Sequence, residues 1–212
     1  RQLYEPLREE KTPRRPFDMF STNREQEEEA GSGEEIAQIK KTYLVFWHQE
    51  GLMVIDQHIA HERLIYERLK DRTRPIESQE LLIPQTIMLD GEDAIKLQNI
   101  SIHLKSYGFV IEEFGHNSYL LRAAPSFLMY REHKQILKDI VSNIDLASDI
   151  VEQLLIGLAC HSAVKAGDVL SGKERKELVD EWLNTPNNMS CPHGRPIAKV
   201  FQDNEIKKWF LR

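Results

Sequence analysis

The chain has 212 residues and a mass of 24.8 kDa, room for one large domain or two small ones at roughly 100–200 residues each. Its 28 basic and 34 acidic side chains give a formal charge of −6, which disfavours a domain whose main work is unaided grip on nucleic acid. No run approaches the ~20 apolar residues of a membrane-spanning helix, no signal-peptide pattern opens the chain, and two cysteines make no disulfide framework, so a reducing compartment is expected.

Residues 1–35 carry six basic against ten acidic side chains, few large apolar ones, and prolines at 6, 13 and 16. That composition predicts a disordered linker end. A first residue of Arg rather than Met makes a fragment of a longer chain the expectation. From Thr42 the pattern turns globular. Thr42–Trp47 and Leu52–Ile55, either side of Gln49-Glu50-Gly51, predict a hairpin. Asp56 stands where an N-cap belongs, before a helix ending near Lys70. Pro75 and Pro84 bracket a predicted connector. Gly91–Ser106 reads as a helix, Phe109–Ile111 and Tyr119–Leu121 as strands, and Glu132–Ile144 as a helix. The longest predicted helix is Ala147–Ala166, with Ile150, Val151, Leu154, Leu155, Leu158 and Ala159 along one face. Ser171 caps a helix over Lys173–Leu183, Ile197–Phe201 reads as a strand, and Asp203 caps a final helix to Trp209. Without a uniform βαβ rhythm, the fold class is α+β.

Three separated pieces carry metal-binding chemistry. In the first, Asp56-Gln57-His58-Ile59-Ala60-His61-Glu62, the cap Asp56 points into the helix mouth and His58 and Glu62 stand one turn apart on one face. Glu67 falls elsewhere on the helix and is predicted to pair with Arg63. The second is Ala159-Cys160-His161, where Cys160 is either a small buried hydrophobe or a ligand. Adjacent helical positions diverge by ~100°, so His161 and Cys160 should not face one ion. The third, Cys191-Pro192-His193-Gly194-Arg195-Pro196, holds a thiol and an imidazole two apart in a stiff turn, which lowers the ordering cost of binding one ion. Thiolate, imidazole and carboxylate together suit Zn2+. Surplus carboxylates leave room for a harder Mn2+ or Mg2+, and two such ions suit hydrolysis of a phosphodiester.

At these residues the sequence resembles the C-terminal domain of bacterial MutL-type DNA mismatch repair proteins, in the branch with a latent endonuclease. DQHIAHERLIYE stands for that family's D-Q-H-A-x2-E-x4-E, Ala159-Cys160-His161 for its A-C-R motif, and CPHGRP is complete; the likeness runs from about residue 36 to the end. The resemblance implies a metal-dependent endonuclease that nicks one strand of DNA. It implies a homodimer, weak DNA binding by this part alone, an upstream ATP-binding domain, contact with the mismatch-recognition protein MutS through the full-length protein, and a cytoplasmic, nucleoid-associated setting. By motif position Asp56, His58 and Glu62 are catalytic, and Asp56, His58, Glu62, Cys160, Cys191 and His193 are metal ligands. His161, Arg195 and Arg212 are supporting candidates, Arg195 either meeting a phosphate or bridging within its own turn.

Gln79-Glu80-Leu81-Leu82-Ile83-Pro84 resembles the Q-x-x-[LI]-x-P peptide by which this family docks on the DNA polymerase sliding clamp. Gln79, Leu82 and Pro84 are its candidate contacts, an extended segment filling a hydrophobic pocket; the alternative is an ordinary edge strand. The implied division is a dimerisation and metal-site part, 36–75 and 147–212, interrupted by an external regulatory part, 76–146. The competing reading is a non-catalytic dimerisation and clamp-docking module with a structural zinc.

Overall fold

The computed structural model describes residues 35–49, 51–71, 73, 76–128 and 131–211. The linker reading of 1–35 therefore falls, apart from Glu35, outside the described residues, as does Arg212. In chain order the elements are β1 (Ala37–Ile39), β2 (Tyr43–His48), β3 (Gly51–Asp56), α1 (Gln57–Lys70), β4 (Ser78–Met88), α2 (Gly91–Ser106), β5 (Val110–Gly115), β6 (Ser118–Pro125), α3 (His133–Asn143), α4 (Ile150–Ser162), α5 (Gly172–Leu183), β7 (Ala198–Phe201) and α6 (Asp203–Trp209), with a 3-10 turn at Ser126–Leu128. Helices and two antiparallel sheets make the fold α+β.

The first sheet has the order β1-β2-β3-β7 and the second β4-β6-β5. In the first, the alternating pattern turns Leu44 and Phe46 of β2 and Met53 and Ile55 of β3 inward, while Tyr43 and Trp47 face out. The pairs Leu44 with Ile55 and Phe46 with Met53 fix that register, because a slip of one residue would send the whole apolar set to solvent. Gly51 opens β3 at φ +138°, and a Cβ there would stand 2.2 Å from the Phe201 carbonyl oxygen of β7. Only glycine permits that approach.

Two apolar clusters share α1. Ala60 and Leu64 pack with Leu44, Ile55, Leu178, Val179, Trp182 and Cys191. Ile65, Tyr66 and Leu69 pack with α2, α3, α4 and the second sheet. A helix with core on two sides buries much of its circumference, and Gln57, His61, Glu62 and Arg63 are buried with it. Such polar groups need partners. Arg63 bridges Glu67 one turn on, as the spacing predicted.

The structure departs from the sequence reading in four places. Residues between Pro75 and Pro84 are no mere connector: β4 begins at Ser78 and continues to Met88, so the edge-strand alternative for residues 79–84 describes their backbone. β4 lies at a sheet edge, and its pairing with β6 breaks between Glu80 and Gln85, so Pro84 sits in a bulge where no ladder N–H is required. The helix drawn over Ala147–Ala166 is shorter. Asp149 caps α4 through the Glu152 N–H, and the chain leaves the helix at Ala163. α6 starts one residue earlier than expected: Gln202, not Asp203, is the N-cap and Asp203 is the first helical residue, with Glu205 accepting the Gln202 N–H at 3.0 Å. β1 is additional. The capping box of Ser171 with Glu174 is present at the head of α5.

Candidate metal centre

α1 starts where β3 ends. The Asp56 carboxylate accepts the N–H groups of His58 (2.9 Å) and Ile59 (3.1 Å), which otherwise have no partner in the first turn of a helix. The Asp56 N–H donates to the Ile197 carbonyl at 3.0 Å, and Ile197 directly follows the CPHGRP turn. The helix start and the turn are thereby joined through backbone.

The turn closes on itself. Gly194 N–H donates to the Cys191 carbonyl (2.8 Å), Cys191 N–H to the Arg195 carbonyl (2.9 Å), and Ser190 bridges Pro196. Gly194 has φ +80°, a left-handed conformation that suits glycine. Arg195 N–H donates to the Cys191 sulfur at 3.3 Å, so the buried thiol has a donor aimed at it. The Cys191 sulfur, and after it the Glu62 carboxylate, hold the Arg195 guanidinium still more firmly in its charged form.

Glu62 is fully buried and faces this turn. Its Oε2 accepts from the Arg195 guanidinium at 3.2 Å. Its Oε1 lies 3.1 Å from His193 Nδ1, but without hydrogen-bond alignment, and is left with no hydrogen-bond partner. A carboxylate oxygen in that condition is costly unless a cation completes it.

The third piece arrives through the end of α4. His58 Nδ1 stands 2.7 Å from the Val164 carbonyl oxygen, and the Val164 N–H donates to His61 Nδ1 at 3.0 Å. Both polar groups of Val164, four residues past Cys160, are bound by α1. Burial, and then the charges of Arg68, His58 and Arg131, lower His61 to about 3, so it is neutral at physiological pH. Cys160 is exposed, which answers the burial reading of it; the protein beneath it, and then the charge of Glu62, push its thiol above the usual range. His161 turns the other way, its Nε2 3.8 Å from an Asp139 oxygen on α3, as the angular offset from Cys160 predicted.

Two buried residues escaped the sequence reading. Gln57 accepts from Gln38 (2.6 Å) and donates toward the carbonyls of Lys41 (2.9 Å), Lys165 (3.2 Å) and Asp168 (3.1 Å), tying the β1–β2 turn to the segment after α4. His61 is the other. The signal available for His61 was its place three residues after His58, on the same side of the helix.

Residues 36–170 match the family described as the MutL C terminal dimerisation domain. The chain belongs to that family. It is 33% identical over 181 residues to the DNA mismatch repair protein MutL of Halothermothrix orenii, covering 82% of this chain and 28% of that protein. It is 34% identical over 185 residues to the protein of the same name from Geotalea daltonii (84% and 31%) and 37% over 183 residues to that of Rhodopseudomonas palustris (82% and 31%). The chain thus spans less than a third of the length of these MutL relatives. Among the described residues no helix is long and apolar enough to cross a membrane.

The donor set of this MutL-family domain fits zinc in kind: a buried thiol, an imidazole and a buried carboxylate with an unpartnered oxygen. Among the described residues no three His, Cys, Asp or Glu side chains stand ready around one point. Glu62 and His193 approach each other most directly, with Arg195 occupying the other carboxylate oxygen.

Proposed function

We propose that this domain is a metal-dependent, DNA-nicking and homodimerising part of a MutL-type mismatch repair protein. The observation that carries the reading is the buried Glu62 carboxylate, its Oε1 unpartnered toward the Cys191–His193 turn, beside a helix mouth holding Asp56 and His58. Glu62, Cys191 and His193 would hold Zn2+, with Cys160 a further soft donor, and Asp56 and His58 would supply a neighbouring site for Mn2+ or Mg2+. Such ions activate water and stabilise a leaving oxygen in phosphodiester hydrolysis. The chain's own residues orient the groups: Asp56 is fixed by the helix cap, His58 by the Val164 carbonyl, and the turn by Arg195.

Nicking of supercoiled plasmid in Mn2+ tests this. Asp56→Asn keeps an oxygen for the cap and removes the charge, and is expected to cut the rate roughly 100-fold or more, the scale of losing a group that acts in the transition state. Equal rates in both proteins would place the chemistry elsewhere. The negative net charge makes DNA affinity of the isolated domain weak and salt-sensitive, so nicking without a recruiting partner is expected to be slow.

Recruitment by the sliding clamp belongs to the same reading. The bulge in β4 leaves Leu82 and Ile83 standing in solvent, Leu82 fully exposed, beside exposed Gln79 and Pro84. An unburied leucine at a sheet edge stabilises nothing in the monomer. Leu82→Ala is expected to abolish clamp binding in a pull-down or titration while moving stability by no more than about 0.5 kcal/mol. Retained clamp affinity would remove the peptide from the account. In this reading 36–75 and 147–212 form the dimerisation and metal part and 76–146 the external part. The first sheet draws only on β1–β3 and β7 and the second only on β4–β6, which supports that division. MutS and ATP act through the full-length protein. A zinc that serves structure alone is the competing reading, favoured by the burial of Cys191 and Glu62; zinc retained by a dimer that never nicks would establish it.

A further inference from the structure

We propose that His61 is a positioning residue for the metal site: by binding the N–H of Val164 it holds that residue's carbonyl on His58 Nδ1, which leaves Nε2 of His58 as the atom offered to a cation. This rests on the metal-site reading above and assigns a role to a residue outside the ligand set.

Donor and acceptor chemistry fixes the tautomer of each ring. A carbonyl oxygen only accepts, so the 2.7 Å contact from His58 Nδ1 to Val164 requires a hydrogen on Nδ1. In the neutral ring the lone pair is then on Nε2. A backbone N–H only donates, so the 3.0 Å contact from Val164 to His61 requires a bare Nδ1 on His61 and its hydrogen on Nε2. Two imidazoles one turn apart on α1 therefore hold opposite tautomers, and the peptide groups of one residue dictate both. A histidine that donates one ring nitrogen to a carbonyl while the other faces a metal is the usual way such a ligand is oriented.

The contact has a second consequence. Val164 lies two residues past the end of α4, and Ala163 breaks the helix. His61 is essentially inaccessible to solvent, so its hold on Val164 is made in a dry environment where the bond is hard to exchange for water. The end of α4, which carries Cys160, is thereby registered against the α1 turn that carries His58 and Glu62. Val164 itself belongs to the apolar cluster under the CPHGRP turn, with Cys191 and Ile197. One backbone residue thus serves as the common reference for the histidine, the mid-chain thiol and the turn.

The test has two arms. Long-range 1H–15N correlation spectra of the wild-type chain, metal-free at neutral pH, are expected to show His58 protonated on Nδ1 with a bare Nε2, and His61 the reverse. His58 carrying its hydrogen on Nε2 would overturn the proposal whatever any variant does. In the second arm Co2+ is titrated as a spectroscopic probe. His61→Leu removes the acceptor and is expected to weaken Co2+ binding 10–100-fold, the usual cost of losing an outer partner. His61→Asn, whose side-chain oxygen stands at the position of Nδ1, is expected to recover most of it. Undiminished affinity in His61→Leu, or no recovery in His61→Asn, would contradict the positioning role. If His61→Leu does not fold, the wild-type spectra still decide. Should wild type show the stated tautomers and bind no Co2+, the metal reading fails and the tautomer assignment stands.

Discussion

Trp182→Ala is expected to lower stability by about 3–5 kcal/mol, a large part of what a domain of this size has to lose. Trp182 is fully buried on α5, packed in the cluster with Leu44, Phe46, Met53 and Ile55 of the first sheet. Removing the indole leaves a cavity that α5 and the sheet cannot both close. The ring does more than fill space. Its Nε1–H donates to the Asn188 carbonyl at 2.6 Å, and Asn188 Nδ2 returns a bond to the Trp182 carbonyl at 3.1 Å. Those bonds hold the segment that leads from α5 into Cys191. Trp182→Phe keeps most of the volume but orphans the Asn188 carbonyl, and should cost about 1–2 kcal/mol. Urea titrations at fixed protomer concentration measure both, since a dimer's apparent stability depends on concentration. A loss under 1 kcal/mol for the alanine variant would mean that the packing of α5 against the sheet is misassigned.

Glu62→Gln is expected to separate metal affinity from stability. The substitution keeps shape and removes charge. In the metal-free protein the carboxylate is an ion taken out of water, with one oxygen on Arg195 and the other 3.1 Å from His193 Nδ1 without a hydrogen bond. Arg195 and His193 have about half of their side chains exposed, at 52% and 43%, so water screens what they give back. A neutral amide avoids most of the desolvation cost, and replacing poorly compensated buried ions is often neutral or stabilising. Metal-free Glu62→Gln should therefore match or exceed wild type, within about 1 kcal/mol, while zinc affinity falls at least 100-fold. The opposite pattern, a loss above 3 kcal/mol with zinc affinity unchanged, would make Glu62 a structural ion pair and not a ligand.

The parts of the site that were legible in the sequence are those fixed by local chemistry. Asp56 announces a cap because a carboxylate before an apolar-periodic run satisfies the first N–H groups. Ser171 and Glu174 announce another by their three-residue spacing. The CPHGRP turn is stiffened by its own prolines and needs no distant partner to close. What was misread depends on distant partners. α4 stops at Ala163 although Val164–Ala166 would extend a helix, because Val164 is bound by His58 and His61, which lie 106 and 103 residues earlier. β4 was legible only as the edge-strand alternative for residues 79–84, because Pro84 is a breaker in most strands and is tolerated where an edge strand bulges away from its neighbour. Cys160 lies in an apolar helix yet is exposed, because Ala159 takes the inward position and the next residue is turned by ~100°.

X-ray absorption at the zinc edge of the purified dimer tests the central claim most directly. Bound zinc is expected in a mixed shell, with sulfur at about 2.3 Å and nitrogen or oxygen at about 2.0–2.1 Å, the sulfur contribution reduced in Cys191→Ser and the zinc itself lost in Glu62→Gln. A protein that takes up no zinc, or a zinc shell that neither substitution alters, would contradict it.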